Sequence, residues 1–170
     1  MVRVREADDH EFDQVGQLTV DAYLEVFGHD GLHGYEHELR DVTSRASAGT
    51  VLVAVDDEER LVGAVAYVPG PGTQMSEFDD EDAAGIRMLA VDPARQGRGA
   101  GRRLVDACVA LARGQGKRRV LLHSTDAMAV ARALYEQMGF RRAPERDHLV
   151  SSEDMGGAEP LLLMAYELVL

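Results

Sequence analysis

The sequence IRMLAVDPARQGRGAG, residues 86–101, decides how the rest of the chain is interpreted. Its apolar first half predicts a strand that Asp92-Pro93 ends, and glycines at 97, 99 and 101 then lead into the helical run from Arg102. The first turn of a helix has unpaired backbone N–H groups and the positive end of the helix dipole, and glycines remove the Cβ atoms that would keep a ligand away. We therefore expect this turn to hold a pyrophosphate.

Two common phosphate-binding motifs do not fit the spacing. A P-loop needs Gly-Lys followed by Ser or Thr, and neither tripeptide occurs in the chain. A dinucleotide-binding fingerprint fails from Gly97, because its sixth position is Arg102, and from Gly99, because its sixth position is Leu104. The acidic residue expected about 20 positions further on is also missing, since that region reads Lys117-Arg118-Arg119.

The run QGRGAG, residues 96–101, does match one pattern. It resembles the Gln/Arg-x-x-Gly-x-Gly/Ala signature with which the GCN5-related N-acetyltransferase (GNAT) family grips the pyrophosphate of acetyl-CoA. MLAVDP directly before it and LYEQMGF, residues 134–140, resemble the family's flanking motifs. The resemblance implies a single GNAT domain over residues 1–170 with a CoA-binding core at 86–142, and acetyl-CoA as co-substrate.

Composition limits the class of protein. Apolar residues make up 45% of the chain, which is typical of a folded globular domain. No run of 18 apolar residues occurs, and the N-terminus lacks the apolar segment of a signal peptide. The single Cys108 agrees with a reducing compartment and is expected to be a buried spectator. We expect a soluble cytoplasmic protein with no membrane partner.

Charge is distributed unevenly along the chain. Residues 1–94 carry 6 basic and 21 acidic side chains, whereas residues 95–146 carry 12 basic and 4 acidic ones. The basic segment contains the glycine-rich turn and suits a polyanionic cofactor, and the acidic remainder would repel nucleic acid and attract an amine. The acidic charge outside residues 95–146 is explained equally well by a surface that only maintains solubility.

Hydrophobic periodicity gives the coarse architecture. It predicts seven strands, at about 2–5, 51–55, 61–68, 84–91, 120–122, 140–143 and 161–168. It predicts four helices, at about 9–26, 35–46, 99–113 and 127–138, and a long acidic loop from Pro144 to Pro160. Periodicity alone supports a mixed α/β domain of the α+β type. The resemblance implies a mostly antiparallel central sheet of about seven strands, about four helices and a β-bulge in the fourth strand.

The resemblance also assigns cofactor contacts. They comprise three residues of the central strand, the whole glycine-rich turn and one face of a later helix: Leu89, Ala90, Val91, Gln96, Gly97, Arg98, Gly99, Ala100, Gly101, Arg102, Met128, Ala131, Leu134 and Tyr135. In the family the bulged strand frees backbone groups, so the Leu89 N–H is expected to face the thioester oxygen as an oxyanion donor. The side chains of the same strand would ordinarily pack in the core. This packing is compatible with a role for the backbone in binding, because side chains can pack while the backbone binds.

Tyr135 matches the family tyrosine that protonates the CoA thiolate, although an ordinary helix tyrosine would give the same pattern. The chain departs from the family at two positions, because Met128 replaces an asparagine that binds pantetheine and Gly85 replaces a glutamate used as general base. Glu81 is the first candidate base, since the acidic run at 79–82 could raise a carboxylate's pKa. His123 and proton transfer to water remain alternatives.

The acceptor site is expected near Tyr23 and Phe27, because the family uses the region between its first two helices. His29, His33 and His37 have helical spacing, but intervening glycines break the helix and we expect no metal site.

The sequence therefore predicts direct acetyl transfer to a small-molecule or protein amine in a ternary complex. A non-catalytic acyl-CoA sensor and a transferase with a longer donor such as succinyl-CoA remain alternatives. The family often dimerises through its C-terminal strands, so the resemblance also allows a homodimer.

Overall fold

One eight-stranded sheet forms the centre of the structure, a computed structural model that describes all residues from 1 to 170. The strands are β1 Arg3–Glu6, β2 Thr50–Val55, β3 Leu61–Val68, β4 Ala83–Val91, β5 Arg119–Ser124, β6 Arg141–Arg142, β7 His148–Val150 and β8 Leu161–Val169. The helices are α1 Phe12–Phe27, α2 Glu36–Arg40, α3 Val42–Ala48, α4 Ala100–Gly114 and α5 Ala129–Gln137. Short 3-10 turns occupy Asp9–Glu11, Pro93–Arg95 and Pro144–Arg146.

The strand order is β1-β2-β3-β4-β5-β8-β6, and β7 also pairs with β8. Every pairing is antiparallel except that of β4 with β5. This confirms the predicted mixed, mostly antiparallel sheet. Inward-facing residues alternate along β2, so Leu52 and Ala54 pack with α4, whereas Val51 and Val53 pack with α1 and α3. The helices therefore cover both faces of the sheet.

Two differences from the predicted elements have local causes. The helix expected at 35–46 is two helices, because Asp41 ends α2 and its side chain accepts the Ser44 N–H at 3.0 Å as the N-cap of α3. The acidic loop expected at 144–160 contains β7, whose three residues pair with Leu161–Leu163 of β8. A three-residue strand is too short to produce a recognisable period in the sequence.

The predicted bulge lies in the middle of β4. Ala64 pairs with Ala90 and Ala66 pairs with Arg87, so Val65 faces two residues, Met88 and Leu89. Met88 adopts a left-handed backbone with φ 53°, which is unusual for a residue that is not glycine.

β4 and β5 also separate at this level of the sheet. They pair only through residues 83–85 and 119–121, so from Ile86 onward β4 has no strand partner on that side. The bulge and this separation open the sheet at its centre.

A buried arginine supports the bulge. The Arg45 side chain donates hydrogen bonds from Nη1 to the Leu39 carbonyl and to Met88 Sδ, both at 2.9 Å. Burial lowers the pKa of Arg45, and no carboxylate forms an ion pair with it. Arg45 thus links α2 and α3 to the distorted part of β4.

We expect Arg45→Ala to lower the free energy of unfolding by about 2–4 kcal/mol, because it removes a buried stem and leaves the Leu39 carbonyl without a donor. Urea denaturation measures the change. Arg40→Ala, an exposed change on α2, serves as control and should shift stability by no more than about 0.5 kcal/mol. Equal stability of the two variants would contradict the supporting role.

Candidate active site

The glycine-rich turn lies between β4 and α4, as the sequence predicts. Gly97 and Gly99 have φ values of 79° and 84°, and a Cβ on either residue would project into open space. None of the backbone N–H groups from 96 to 102 donates to another backbone group, and no side chain caps α4. These free donors at a helix N-terminus fit the oxygens of a diphosphate.

Three elements meet directly behind this turn. A Cβ on Gly101 would lie 3.5 Å from Val91 Cγ2 of β4 and 3.3 Å from Leu134 Cδ2 of α5. The side chains of Arg98 and Arg102 are exposed beside the turn, where they add positive charge. The structure thus brings together the predicted contacts on β4, α4 and α5.

A cavity of about 430 Å³ opens where β4 and β5 separate. Its walls come from α1 and the following loop, the bulged part of β4, the end of β5 and the β7–β8 region. The lining residues include Tyr23, Phe27, Tyr35, Arg87, Met88, Thr125, Met128, Val150 and Leu163. Tyr23 and Phe27, predicted to contact the acceptor, are both present. Met128 joins them from the N-cap of α5.

Two buried hydroxyl groups in this wall have no partner. Ser124 and Thr125 are 2% and 5% exposed, and neither Ser124 Oγ nor Thr125 Oγ1 makes a hydrogen bond. Buried polar atoms are nearly always satisfied in folded proteins, so these two hydroxyl groups are exceptions. Both residues line the cavity.

His123 and Glu77 form an ion pair at the cavity wall. His123 Nδ1 lies 2.8 Å from Glu77 Oε2, and Nε2 lies 3.0 Å from the Arg146 carbonyl oxygen. Because the Arg146 carbonyl only accepts, Nε2 carries a proton, and the ionised form of Glu77 favours a second proton on Nδ1. Burial works to lower the pKa of His123, but the hydrogen bonds to Glu77 and Arg146 outweigh it and raise the pKa. These contacts favour the protonated ring and work against His123 as a general base.

Glu77 is held ionised by two cations. Its Oε1 lies 3.2 Å from Arg87 Nε, while Oε2 accepts from His123. Burial works to raise the pKa of Glu77, but the His123 hydrogen bond and the Arg87 charge lower it overall. A carboxylate with a lowered pKa orients its neighbours better than it accepts a proton.

A sequence model of the Acetyltransferase (GNAT) family matches residues 12–140. The chain belongs to this family. The match contains the glycine-rich turn, the bulged strand and Tyr135, and it confirms the resemblance drawn from residues 86–142.

Individual relatives agree with the assignment of this GNAT chain. A mycothiol acetyltransferase from Beutenbergia cavernae is 49% identical over 55 residues, which are 32% of this chain and 18% of the relative. The chain thus matches less than a fifth of the length of that protein.

Solved structures share the fold. One is PaiA N-acetyltransferase from Thermoplasma acidophilum in complex with coenzyme A, with a TM-score of 0.74, 11% identity and coverage of 100% and 99% of the two chains. Another is yncA from Salmonella typhimurium with its cofactor acetyl-CoA, with a TM-score of 0.70, 20% identity and coverage of 100% and 94%.

Tyr135 of this GNAT chain does not line the cavity and lies in the apolar cluster that contains Ala100 and Leu104 of α4. It is 4% exposed, and its ring packs against those of Phe140 and Tyr166 at centroid distances of 5.8 and 6.4 Å. Burial raises the pKa of Tyr135, so its hydroxyl keeps its proton throughout the physiological range.

The candidate base Glu81 lies away from these groups. It is exposed, its backbone carbonyl accepts from Lys117 Nζ, and its side chain is not in the cavity wall. The position of the family glutamate is filled differently, because a Cβ on Gly85 would come within 2.7 Å of the Phe78 ring. The same loop that supplies Phe78 also supplies Glu77.

Sequence reasoning missed Glu77 and Arg87 as cavity residues. Arg87 is the single charged side chain in the apolar strand β4, a signal that could have identified it. The three histidines considered for a metal site do not share a helix, because α1 ends at Phe27 and α2 begins at Glu36. None of the helices combines the length and apolarity needed to cross a membrane.

Proposed function

We propose that this GNAT chain transfers the acetyl group of acetyl-CoA to a primary amine by direct transfer in a ternary complex. The observation that carries the proposal is the continuous set of unpaired amides from 96 to 102, which follows the strand whose separation from β5 opens the sheet at the cavity. Bound acetyl-CoA supplies an activated thioester. The solved relatives described with coenzyme A or acetyl-CoA share this fold.

The turn is proposed to hold the diphosphate. Amides of Gly97, Gly99 and the first turn of α4 donate to phosphate oxygens, and the helix dipole adds to the attraction. Arg98 and Arg102 provide positive charge next to them. Gln96, Ala100 and Gly101 contribute backbone rather than side-chain contacts.

The separated edge of β4 is proposed to align the reacting end. Backbone groups of Val91 pair with the pantetheine amides, because β5 leaves that edge without a strand partner, whereas those of Ala90 face β3. The Leu89 N–H stabilises negative charge on the acyl oxygen, a contribution of about 3–4 kcal/mol for one well-placed donor. Met128, Ala131 and Leu134 line the same path from α5.

Tyr135 is proposed to give the proton that the leaving thiolate needs. Its raised pKa keeps the phenol neutral before the transfer, and the phenolate left after it recovers a proton from the cavity water that accepted the proton of the amine. Glu81 is exposed and Glu77 is held ionised, so we assign loss of the amine proton to water in the cavity. The acceptor then attacks as a free amine.

A binding assay and a turnover assay test the proposal together. Acetyl-CoA at about 100 times its Kd should add roughly 2.7 kcal/mol to the stability measured by thermal unfolding. Free thiol should then appear only when an amine is added. Acetyl-CoA binding with no thiol release across amino acids, polyamines and peptides would refute transfer and favour the sensor alternative, which the changes at Gly85 and Met128 motivate. Succinyl-CoA in parallel tests the longer donor.

A further inference from the structure

Three charged side chains meet at the wall of the cavity. Arg87, Glu77 and His123, called here the charged triad, have side chains that are 19%, 27% and 9% exposed. Glu77 offers Oε1 to Arg87 and Oε2 to His123. Glu77 is thus shared between two neighbours, and no second carboxylate contacts the Arg87 guanidinium.

Arg87 has donors left for a ligand. Its Nε faces Glu77, one Nη2 hydrogen faces the Tyr35 hydroxyl at 3.1 Å, and Nη1 lies 3.6 Å from Met75 Sδ, a weak acceptor. A guanidinium has five N–H groups, so two remain unused, one on each Nη atom. These contacts also fix the orientation of the planar group before any ligand binds.

The other charged groups at the cavity are carboxylates. Glu38, Asp154 and Glu77 are all exposed residues, so water and salt screen their charges. Glu38 and Asp154 suit the attraction of an ammonium group from solution. Glu77 is already paired with Arg87 and His123, so the unused donors of Arg87 favour an anion.

The remaining wall is mostly apolar and partly aromatic, with Ser124 and Thr125 among its polar residues. The Tyr23 ring lies 6.0 Å from that of Phe27 and 6.4 Å from that of Tyr35, measured between centroids. The volume of about 430 Å³ accommodates the acyl end of the donor together with an acceptor of amino-acid size. Such walls bind a hydrophobic side chain rather than a polar chain.

We infer that the acceptor is a small amine that also bears a carboxylate, as an apolar α-amino acid does, and that Arg87 binds this carboxylate. The inference rests on the proposed function and names its substrate class. A guanidinium fork matches two carboxylate oxygens. Arg87 directly precedes Met88 and Leu89 of the bulge, so a short distance between carboxylate and amine brings the amine to the proposed thioester position.

Matched acceptors test the inference. L-phenylalanine and L-phenylalaninamide share a side chain and differ at the carboxylate, 2-phenylethylamine lacks that group, and leucine and methionine with their amides repeat the comparison. Because an α-amino amide is a weaker base than the acid, rates are compared per concentration of free amine. We expect kcat/KM to be about 10- to 100-fold higher for the acid than for the amide, because a charge-assisted hydrogen-bond pair is lost. An amide that reacts as well as the acid, as a peptide N-terminus would require, overturns the inference.

Substitutions at Arg87 test whether this residue causes the preference for the acid over the amide. Arg87→Gln should reduce the acid-to-amide ratio to about 1, and Arg87→Lys should give an intermediate ratio because it retains charge without the fork. Arg141→Gln, an exposed arginine of β6, is the control and should keep the wild-type ratio. A ratio that survives Arg87→Gln would overturn the assignment. Unchanged acetyl-CoA affinity shows that each variant is folded. If Arg87→Gln does not fold, the acid-to-amide ratio of Arg87→Lys decides the assignment.

Direct binding separates this inference from the proposed transfer. Calorimetry of L-phenylalanine and its amide, each titrated into protein saturated with CoA, should show tighter binding of the acid. Preference for the acid without thiol release in any assay would uphold the inference and refute transfer. Thiol release with polyamines or peptides alone would uphold transfer and refute the inference.

Discussion

Gly99→Val is expected to weaken acetyl-CoA binding by at least about 100-fold. Gly99 precedes α4 with a φ of 84°, a conformation that a β-branched residue rarely adopts, and its open side is where we place the diphosphate. The added side chain would occupy that space and turn the neighbouring amides away. Isothermal titration with acetyl-CoA measures the loss.

Gly116→Val is the matched control at the opposite end of the same helix. Gly116 has a φ of 71° and also faces open space, so the two substitutions impose similar backbone strain. Both should lower the melting temperature by similar amounts, and only Gly99→Val should change the Kd for acetyl-CoA. Normal affinity in Gly99→Val would remove the turn from the cofactor site.

Tyr135→Phe is expected to reduce kcat by about 100-fold or more while leaving the Kd for acetyl-CoA unchanged, because it removes one proton donor and retains the ring. Single-turnover thiol release measures the chemical step directly. Since burial raises the pKa of Tyr135, the wild-type rate should show no decline from its ionisation below about pH 10.

Tyr166→Phe provides the comparison for Tyr135. Tyr166 is 1% exposed, packs against the Tyr135 ring and loses only a 3.4 Å hydrogen bond to Glu136 Oε1 in this variant. Its kcat should stay close to that of the wild type. Full activity of Tyr135→Phe, or equal losses in both variants, would show that the Tyr135 hydroxyl has no chemical role.

The part of the site that is formed by residues close together in the sequence could be predicted from the sequence. The turn from Gln96 to Gly101 is one continuous segment whose conformation follows from its glycines and the helix after it. The strand before it and Tyr135 after it were placed by motif spacing. Tyr23 and Phe27 were located only through the resemblance, and the structure places both in the cavity wall.

The remaining features depend on contacts between distant segments. Glu77 lies in a loop without periodicity, and its role follows from meeting Arg87 and His123 across 10 and 46 positions of sequence. The acidic run drew attention to Glu81, but alternating solvent exposure along that loop cannot be read from composition. β7 exists only through its pairing with β8. Such features follow from tertiary packing rather than local pattern.

The separation of β4 from β5 lies between the proposed donor site and the proposed acceptor site. On one side, we place the diphosphate of the donor on the contiguous turn at 96–102. On the other, we propose that α1 and the loop after it, the Glu77 loop, β4, β5 and β7–β8, which are remote from one another in the chain, jointly determine what is modified. Substrate preference can therefore diverge by exchange of residues in these segments, while the grip on the donor stays constant.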